Sequence, residues 1–431
     1  MRLLTKISFM LLMLILVSPM IQQSSDIVMI NKLKGAIKEV KFPKLNSENW
    51  FSEKFQNQTE KYLARNFGFV NWFIQLENQI QFTFYNKAKA NGVIIGKENY
   101  LYEKSYIDAY YGNDFLGDST IKLLYSKLKK VSDTLEKLNT KILIVFAPGK
   151  GSFYPEYIPN DLKVVNKTTN LECCVKTVDS LGLNYINMSS WFIKMKDTTT
   201  YPLYPKTGIH WSSYGVSLAA DSILFYCKNK LELTLPDVNW TPIEIKKQLQ
   251  SPDNDIEKGM NLIFDLPNHP MPYLKIKPEK QSDFTSKSVV IADSYYWQLF
   301  NMGFSTKVFK EGQFWFYSKQ VFPKRNNKET RVKDLNLKEE LLEQDIIILL
   351  TTEPVLKRQY WGFVDQAYNV FFNPNLNDLQ SEIKEQAEKI KKNKTLMKNI
   401  EEKAKKRNIP IDSMLMMDAE YILKVKNKRV D

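Results

Sequence analysis

Histidine is almost absent from this chain: His210 and His269 are the only two in 431 residues. Cysteine is nearly as scarce, at three. That count excludes a fold built on disulfides. No Cys/His cluster stands at ligand spacing, so no metal and no cofactor is expected. In an oxidising compartment Cys227 can pair with Cys173 or its neighbour Cys174, leaving one thiol over. Zinc-finger spacing, an RNP-like run and a concentrated Arg-rich arm are all missing, which removes nucleic acid as the expected partner. Internal repeats and low-complexity linkers are missing too.

What is present is a substantial core composition, 43% hydrophobic and 13% aromatic. Global disorder is excluded at those values. Lys and Arg outnumber Asp and Glu by 61 to 48, a net charge of +13. Such an excess suits an anionic neighbour, a polysaccharide or a membrane surface.

The chain starts MRLLTKISFMLLMLILVSPMIQQ, with Arg2 and Lys6 ahead of an apolar run from Ile7 to Ile21. This layout is that of an export signal. No small-x-small cleavage site follows, so residues 1–23 read either as a cleaved signal peptide or as an N-terminal membrane anchor. Both place the remainder in the periplasm or outside the cell, with the basic residues on the cytoplasmic side.

Residues 24–115 read as an aromatic, amphipathic helical segment followed by a short hairpin in GVIIGKENYLYEKSYIDAYYG. Between 118 and 139, apolar residues at 121, 124, 128, 131, 135 and 138 describe one helix face, with Asp118 or Ser119 as candidate cap. Three short runs, KILIVFAPG, SVVIAD and DIIILLTTE, are apolar on both faces. Separated by helical patterns, they predict a parallel sheet covered by helices over residues 116–374. A site in such a sheet lies beyond the carboxyl ends of the strands. Residues 375–431 hold 14 Lys/Arg and 10 Asp/Glu and read as two or three helices with a solvated charged face. Their net +4 (14 minus 10) makes them a candidate contact for an anionic polymer or membrane.

The strand ends carry the candidate chemistry. In SVVIADSYYW the apolar strand runs straight into Asp293 and Ser294, a strand-turn-helix setting for a nucleophile without the Gly-x-Ser-x-Gly elbow. The alternative is that Ser294 only caps the following helix. His210, in YPLYPKTGIHWSSYG, is the candidate base, since a neutral imidazole can take the serine proton and return it to a leaving group. The alternative is a ring packed beside Trp211. His269 lies between prolines in a loop and is a poor base. In APGKGSFYPEYIP, Gly149 and Gly151 allow close backbone approach and Lys150 brings a positive charge, a candidate contact for an oxyanion or uronate. The aromatics Tyr295, Tyr296, Trp297, Trp315 and Tyr317 are candidates either for stacking on sugar rings or for the core.

In order and spacing, GVIIGKENYLYE, APGKGSFYPEYIP, TGIHWSSYG, ADSYYW and DIIILLTTEP resemble the AlgJ/AlgX-type SGNH-hydrolase-like family of exopolysaccharide O-acetylation, over about residues 45–370. The resemblance implies an SGNH-like α/β fold in which the histidine precedes the serine; the N-terminal helical and hairpin segment and the C-terminal helical appendage read above flank it. It implies acetyl transfer to polysaccharide hydroxyls, or acetyl-ester hydrolysis, with a membrane-bound O-acyltransferase as the usual donor partner. Ser294 then matches the nucleophile and His210 the histidine of an Asp-x-His-Trp motif. Trp211, Tyr295 and Trp297 join Lys150, Gly149 and Gly151 as expected substrate contacts. Gly208 stands where the family has its aspartate. Three readings follow: a Ser-His dyad, a relocated acid with Asp293 and Glu353 as candidates, or a non-catalytic glycan-binding protein. The dyad implies that Gly208→Asp leaves activity unchanged or raises it.

Overall fold

The computed structural model describes residues 2–35, 40–164, 167–277 and 285–427, so the last four residues of the basic appendage lie outside the described residues. The expected hairpin forms from β1 (Val93–Ile95) and β2 (Leu101–Glu103), paired antiparallel. The central sheet takes β3 (Lys141–Ala147) and β4 (Tyr185–Asn187). A small separate pair follows, β5 (Glu244–Lys246) with β6 (Met271–Tyr273). The sheet is completed by β7 (Lys287–Ala292), β8 (Lys310–Phe316), β9 (Gln320–Arg325), β10 (Lys328–Arg331) and β11 (Ile346–Thr352).

Strand order is β10-β9-β8-β7-β11-β3-β4. The five strands from β8 to β4 run parallel, and β9 and β10 extend the β8 edge antiparallel. The three apolar runs become the adjacent strands β7, β11 and β3, with Leu349 of β11 opposite Ile291 on one side and Ile144 on the other. Every residue of β11 is buried. Successive side chains alternate between faces: Ile346, Ile348 and Leu350 enter one core cluster, Ile347 and Leu349 the other. The first cluster is covered by the helix Ser213–Asn229, the second by Asp118–Glu136, Asn170–Ser180 and Phe363–Phe372. The protein is thus an α/β fold with a central sheet between helical layers.

Five positions of the apolar stripe, 121, 124, 128, 131 and 135, form the buried face of the helix Asp118–Glu136, while Leu138 lies past its end and is exposed; neither Asp118 nor Ser119 caps it. Gly117 occupies the cap position, and the Asp118 carboxylate accepts instead from the Cys173 thiol at 3.2 Å. No disulfide links the cysteines. All three are free and buried, and Cys227 lies in the core on the opposite sheet face from Cys173 and Cys174. The appendage is three helices, Pro374–Lys392, Lys394–Arg407 and Ile411–Asn427. They share a small core of their own around Ile390, Ile400, Ala404 and Leu415.

Because β11 sits in mid-sheet with cover on both faces, truncating it leaves a void that neither layer can fill. Leu349→Ala is expected to cost about 2–5 kcal/mol in urea unfolding. A loss below about 1 kcal/mol contradicts this packing.

Candidate active site

Ser294 lies two residues past the end of β7, at the carboxyl edge of the sheet. It does not cap a helix: the helix Tyr296–Met302 is preceded by Tyr295, with no side-chain cap. Asp293 shapes the turn instead. Its buried carboxylate accepts from Thr352 N–H and Oγ1 at the end of β11, both at 2.7 Å, and from the Tyr295 N–H at 3.0 Å. The turn is thereby tied to the neighbouring strand, and the Ser294 hydroxyl is left free to face His210.

His210 lies on the loop before the helix Ser213–Asn229. Its Nε2 stands 3.0 Å from Ser294 Oγ, and its Nδ1 2.6 Å from a carboxylate oxygen of Asp255. The ring rests against Tyr295, whose hydroxyl donates to the Ile209 carbonyl at 2.5 Å. Asp255 is the first residue of the helix Asp255–Met260, and its other oxygen accepts the Ile209 N–H at 2.9 Å. One carboxylate therefore holds both the ring and the backbone beside it. A further strut joins the segments, the Glu257 N–H donating to the Thr207 carbonyl.

Gly208 makes this arrangement possible. A Cβ there would stand 2.6 Å from the Asp253 carbonyl oxygen and 2.7 Å from that of Pro252. These are backbone atoms, and they cannot turn aside as a side chain can. The glycine lets the segment leading to Asp255 pass against the histidine loop.

The other expected site residues lie elsewhere. Asp293 is committed to Thr352 and Tyr295, as above. Glu353 is buried beneath the site, accepting from the Gly149 N–H at 3.2 Å, the Ser189 hydroxyl at 2.5 Å and the Ser152 hydroxyl. Burial raises the pKa of both carboxyls. Neither is the hydrogen-bond partner of His210.

Lys150 is fully buried and turned away from any ligand. Its Nζ donates to the carbonyls of Lys206 at 2.8 Å and Gly208 at 2.6 Å, clamping the histidine loop from behind. Burial brings its pKa down to about 7. Gly149 serves Glu353, and Gly151 makes room for the Tyr106 backbone rather than for a substrate. Trp211, Tyr295, Tyr296 and Trp315 are fully buried, and Trp297 packs edge-on against Phe300, Phe314, Phe316 and Phe322. Of the aromatic set, Tyr295 packs its ring against His210, and the half-buried Tyr317 lies beside Ser294. His269 makes no contact with the Ser294–His210–Asp255 chain.

Sequence reasoning missed Asp255, 45 residues after His210. Its local signal, an acid opening a short helix in SPDNDIEKGM, is one that most helix starts share. An open cavity of about 680 Å³ lies against the 250–253 segment, lined among others by Gln250, Asp253, Tyr273, Lys246, Lys275 and Lys307. No group of His, Cys, Asp and Glu suited to a metal occurs among the described residues.

Asp253 is nearly fully buried, and only the Tyr273 hydroxyl offers its carboxylate side-chain hydrogen-bonding support. Burial pushes its pKa up to about 7, and the charge of Asp255 adds to the shift. The unfolded carboxyl ionises near pH ~4, so the unfolded state holds fewer protons than the fold between about pH 4 and 7. Stability from this group is complete below that window and is lost as pH rises through it. Asp253→Asn is expected to match the parent melting temperature at acid pH and exceed it above neutrality. Lys150 shifts both proteins alike and cancels from the difference. An equal gap at all pH values contradicts the assignment.

Comparison with known proteins places the domain. Residues 93–252 match the family described as ALGX, SGNH hydrolase-like domain, acetyltransferase AlgX. The matched stretch includes His210 and stops short of Asp255 and Ser294. Among solved structures, the chain is similar to the O-acetyltransferase domain of Pseudomonas putida AlgJ, with TM-score 0.42 and 11% identity, covering 65% of this chain and 99% of that one. For Pseudomonas aeruginosa AlgX the TM-score is 0.39 at 12% identity, covering 63% and 67%. For Bacillus cereus PatB1 it is 0.39 at 10% identity, covering 56% and 91%. At these scores the likenesses assign no residue. A 93-residue stretch is 30% identical to the major capsid protein of Escherichia phage T5, but it spans 22% of this chain and only 19% of that protein. The resemblance read from the sequence blocks thus meets a direct match: residues 93–252 are similar to the SGNH hydrolase-like domain of acetyltransferase AlgX.

Proposed function

We propose that this protein is an exported O-acetyltransferase or acetylesterase acting on a cell-envelope or extracellular polysaccharide. Ser294 is the nucleophile, His210 the general base and Asp255 the orienting acid. The observation that carries the reading is the unbroken hydrogen-bond chain Ser294 Oγ–His210 Nε2, 3.0 Å, and His210 Nδ1–Asp255, 2.6 Å.

The carboxylate accepts a hydrogen bond from Nδ1–H, which holds the ring in the tautomer whose Nε2 is unprotonated and faces the serine. Ser294 Oγ attacks the acetyl carbonyl as its proton passes to Nε2, and Asp255 stabilises the imidazolium that forms. Collapse of the tetrahedral intermediate breaks the ester bond, and Nε2 returns the proton to the departing oxygen. An acetyl-serine remains. A sugar hydroxyl, deprotonated by His210, then takes the acetyl group and restores the serine; water in its place gives hydrolysis. Burial raises the Tyr317 pKa, so the phenol beside Ser294 stays protonated and able to donate to the developing oxyanion.

The polymer reading is supported by the excess of basic residues and by the lysine-rimmed cavity beside the site. The N-terminal helix spans Leu3–Ser25 and is long and apolar enough to cross a membrane. It supports a location outside the cytoplasmic membrane, where a membrane-bound O-acyltransferase would supply the acetyl group.

With a generic acetyl ester, Ser294→Ala and His210→Ala are expected to abolish turnover by the purified chain. Asp255→Asn should lower it by about 10⁴, the cost of losing the orienting acid of a complete triad. Asp293→Asn and Glu353→Gln act only through local packing and should not reproduce that loss. If the parent is as inert as Ser294→Ala toward acetyl esters and acetyl donors, the catalytic reading falls and glycan binding remains.

The geometry reverses the dyad's expectation for Gly208. An aspartate there drives the 252–255 backbone off the histidine loop, so Gly208→Asp is expected to cost activity about as much as Asp255→Asn. Gly208→Ala, meeting the same carbonyls with a smaller side chain, should fall between the parent and Gly208→Asp. Activity equal to or above the parent in Gly208→Asp overturns this account.

A further inference from the structure

The helix Arg2–Ser25 presents its apolar length unburied, yet its last turn is built into the rest of the protein. Gly68 closes against it so tightly that a Cβ would stand 2.1 Å from the Pro19 carbonyl oxygen and 2.8 Å from the Gln23 nitrogen. Gln22 is buried, its amide donating to the Val28 carbonyl at 2.7 Å and accepting the Val28 N–H at 3.0 Å. A segment destined for removal has no need of such a socket.

Gly68 joins the helices Lys54–Asn66 and Val70–Tyr85. On the second helix, Asn78, Gln79 and Phe82 face inward. The Asn78 amide donates to the Met260 carbonyl at 2.8 Å, Gln79 accepts from the Ile263 and Phe264 N–H groups at 3.1 and 3.2 Å, and Phe82 packs on the core. At 100° per residue, Phe73, Ile80 and Phe84 fall on the opposite side. All three are exposed, Phe84 by 76%, and Phe51 on the neighbouring helix Ser47–Phe51 by 84%. Trp50 and Trp72 are exposed beside them. Soluble surfaces rarely collect so many large apolar groups in one region. Residues 24–90 also carry 10 Lys/Arg against 6 Asp/Glu, an excess of 4.

We infer that residues 47–85 form a foot that lies in the lipid interface, with the helix Arg2–Ser25 retained as a membrane span. Continuity decides the occupant. The span leaves the bilayer where Gly68 meets it, so the aromatic helices start at the headgroup layer, where Trp, Tyr and Phe partition. A span alone is a tether; a foot fixes height and tilt. It also reaches the site, because Asn78 and Gln79 grip the segment that follows the Asp255 helix. The inference rests on the membrane location proposed above, and it adds that the active site is held at a set distance from the bilayer.

The test uses the full chain reconstituted as the sole protein in phosphatidylcholine–phosphatidylglycerol vesicles. A nitroxide is placed at Phe51→Cys, Phe73→Cys or Phe84→Cys, with Phe225→Cys on the helix Ser213–Asn229 as reference; the three native thiols are buried. If the foot lies in lipid, the first three labels collide severalfold more with oxygen than with a water-soluble nickel chelate, and the reference label shows the reverse. If the vesicles float with the protein while all four labels read as water-exposed, the foot is wrong and the anchor stands; this is also the result if a partner membrane protein covers the face in cells. If the protein does not float with vesicles, the anchor and the foot both fail.

Discussion

The approach of the Pro252–Asp255 backbone to Gly208 is the contact on which the site depends. Two loops distant in sequence must pass within the reach of a missing methyl group before Asp255 can lie under the His210 ring. Once they do, the carboxylate serves two donors, the ring nitrogen and the Ile209 N–H, and Glu257 adds a backbone strut to Thr207. Holding the backbone and the ring with one group restricts the ring more than a single hydrogen bond does. This is the preorganisation that proton transfer to and from Nε2 requires.

Around that contact the protein buries an unusual amount of charge. Asp293, Glu353, Asp253 and Lys150 are all inaccessible, and each is shifted toward its neutral form chiefly by desolvation. Three of them have structural work. Asp293 binds the end of β7 to that of β11, Glu353 gathers Gly149, Ser152 and Ser189, and Lys150 clamps the carbonyls of the histidine loop. Buried polar groups of this kind cost stability unless satisfied, and they fix geometry when they are. Asp253 is the exception, supported only by the Tyr273 hydroxyl, and it lies next to the loop that delivers the acid.

The sheet was legible because its central strands are apolar on both faces and alternate with helical patterns, as the strands of a covered parallel sheet do. Ser294 and His210 were legible because each stands where a strand or loop runs into a helix, and because histidine is so rare here. Asp255 was not, since its role depends on a contact between loops and leaves no periodic or spacing signal. Asp293 and Glu353 drew attention by sitting at strand ends, yet their carboxylates point into the protein to tie those ends together. The same holds for Lys150: a lysine between two glycines looks like a ligand contact, and only burial reveals that its partners are backbone carbonyls. The aromatics after β7 follow the general tendency of such residues to fill the core, Tyr317 excepted.

The proposed chemistry requires that Ser294 become acetylated through a base held by Asp255. The most direct measurement is peptide mapping by mass spectrometry after rapid acid quench of the full chain mixed with an activated acetyl ester. An acetyl adduct is expected on the peptide containing Ser294, formed rapidly in the parent and far more slowly in Asp255→Asn. An adduct confined to other residues, or formed on Ser294 at the same rate in both proteins, would contradict this chemistry.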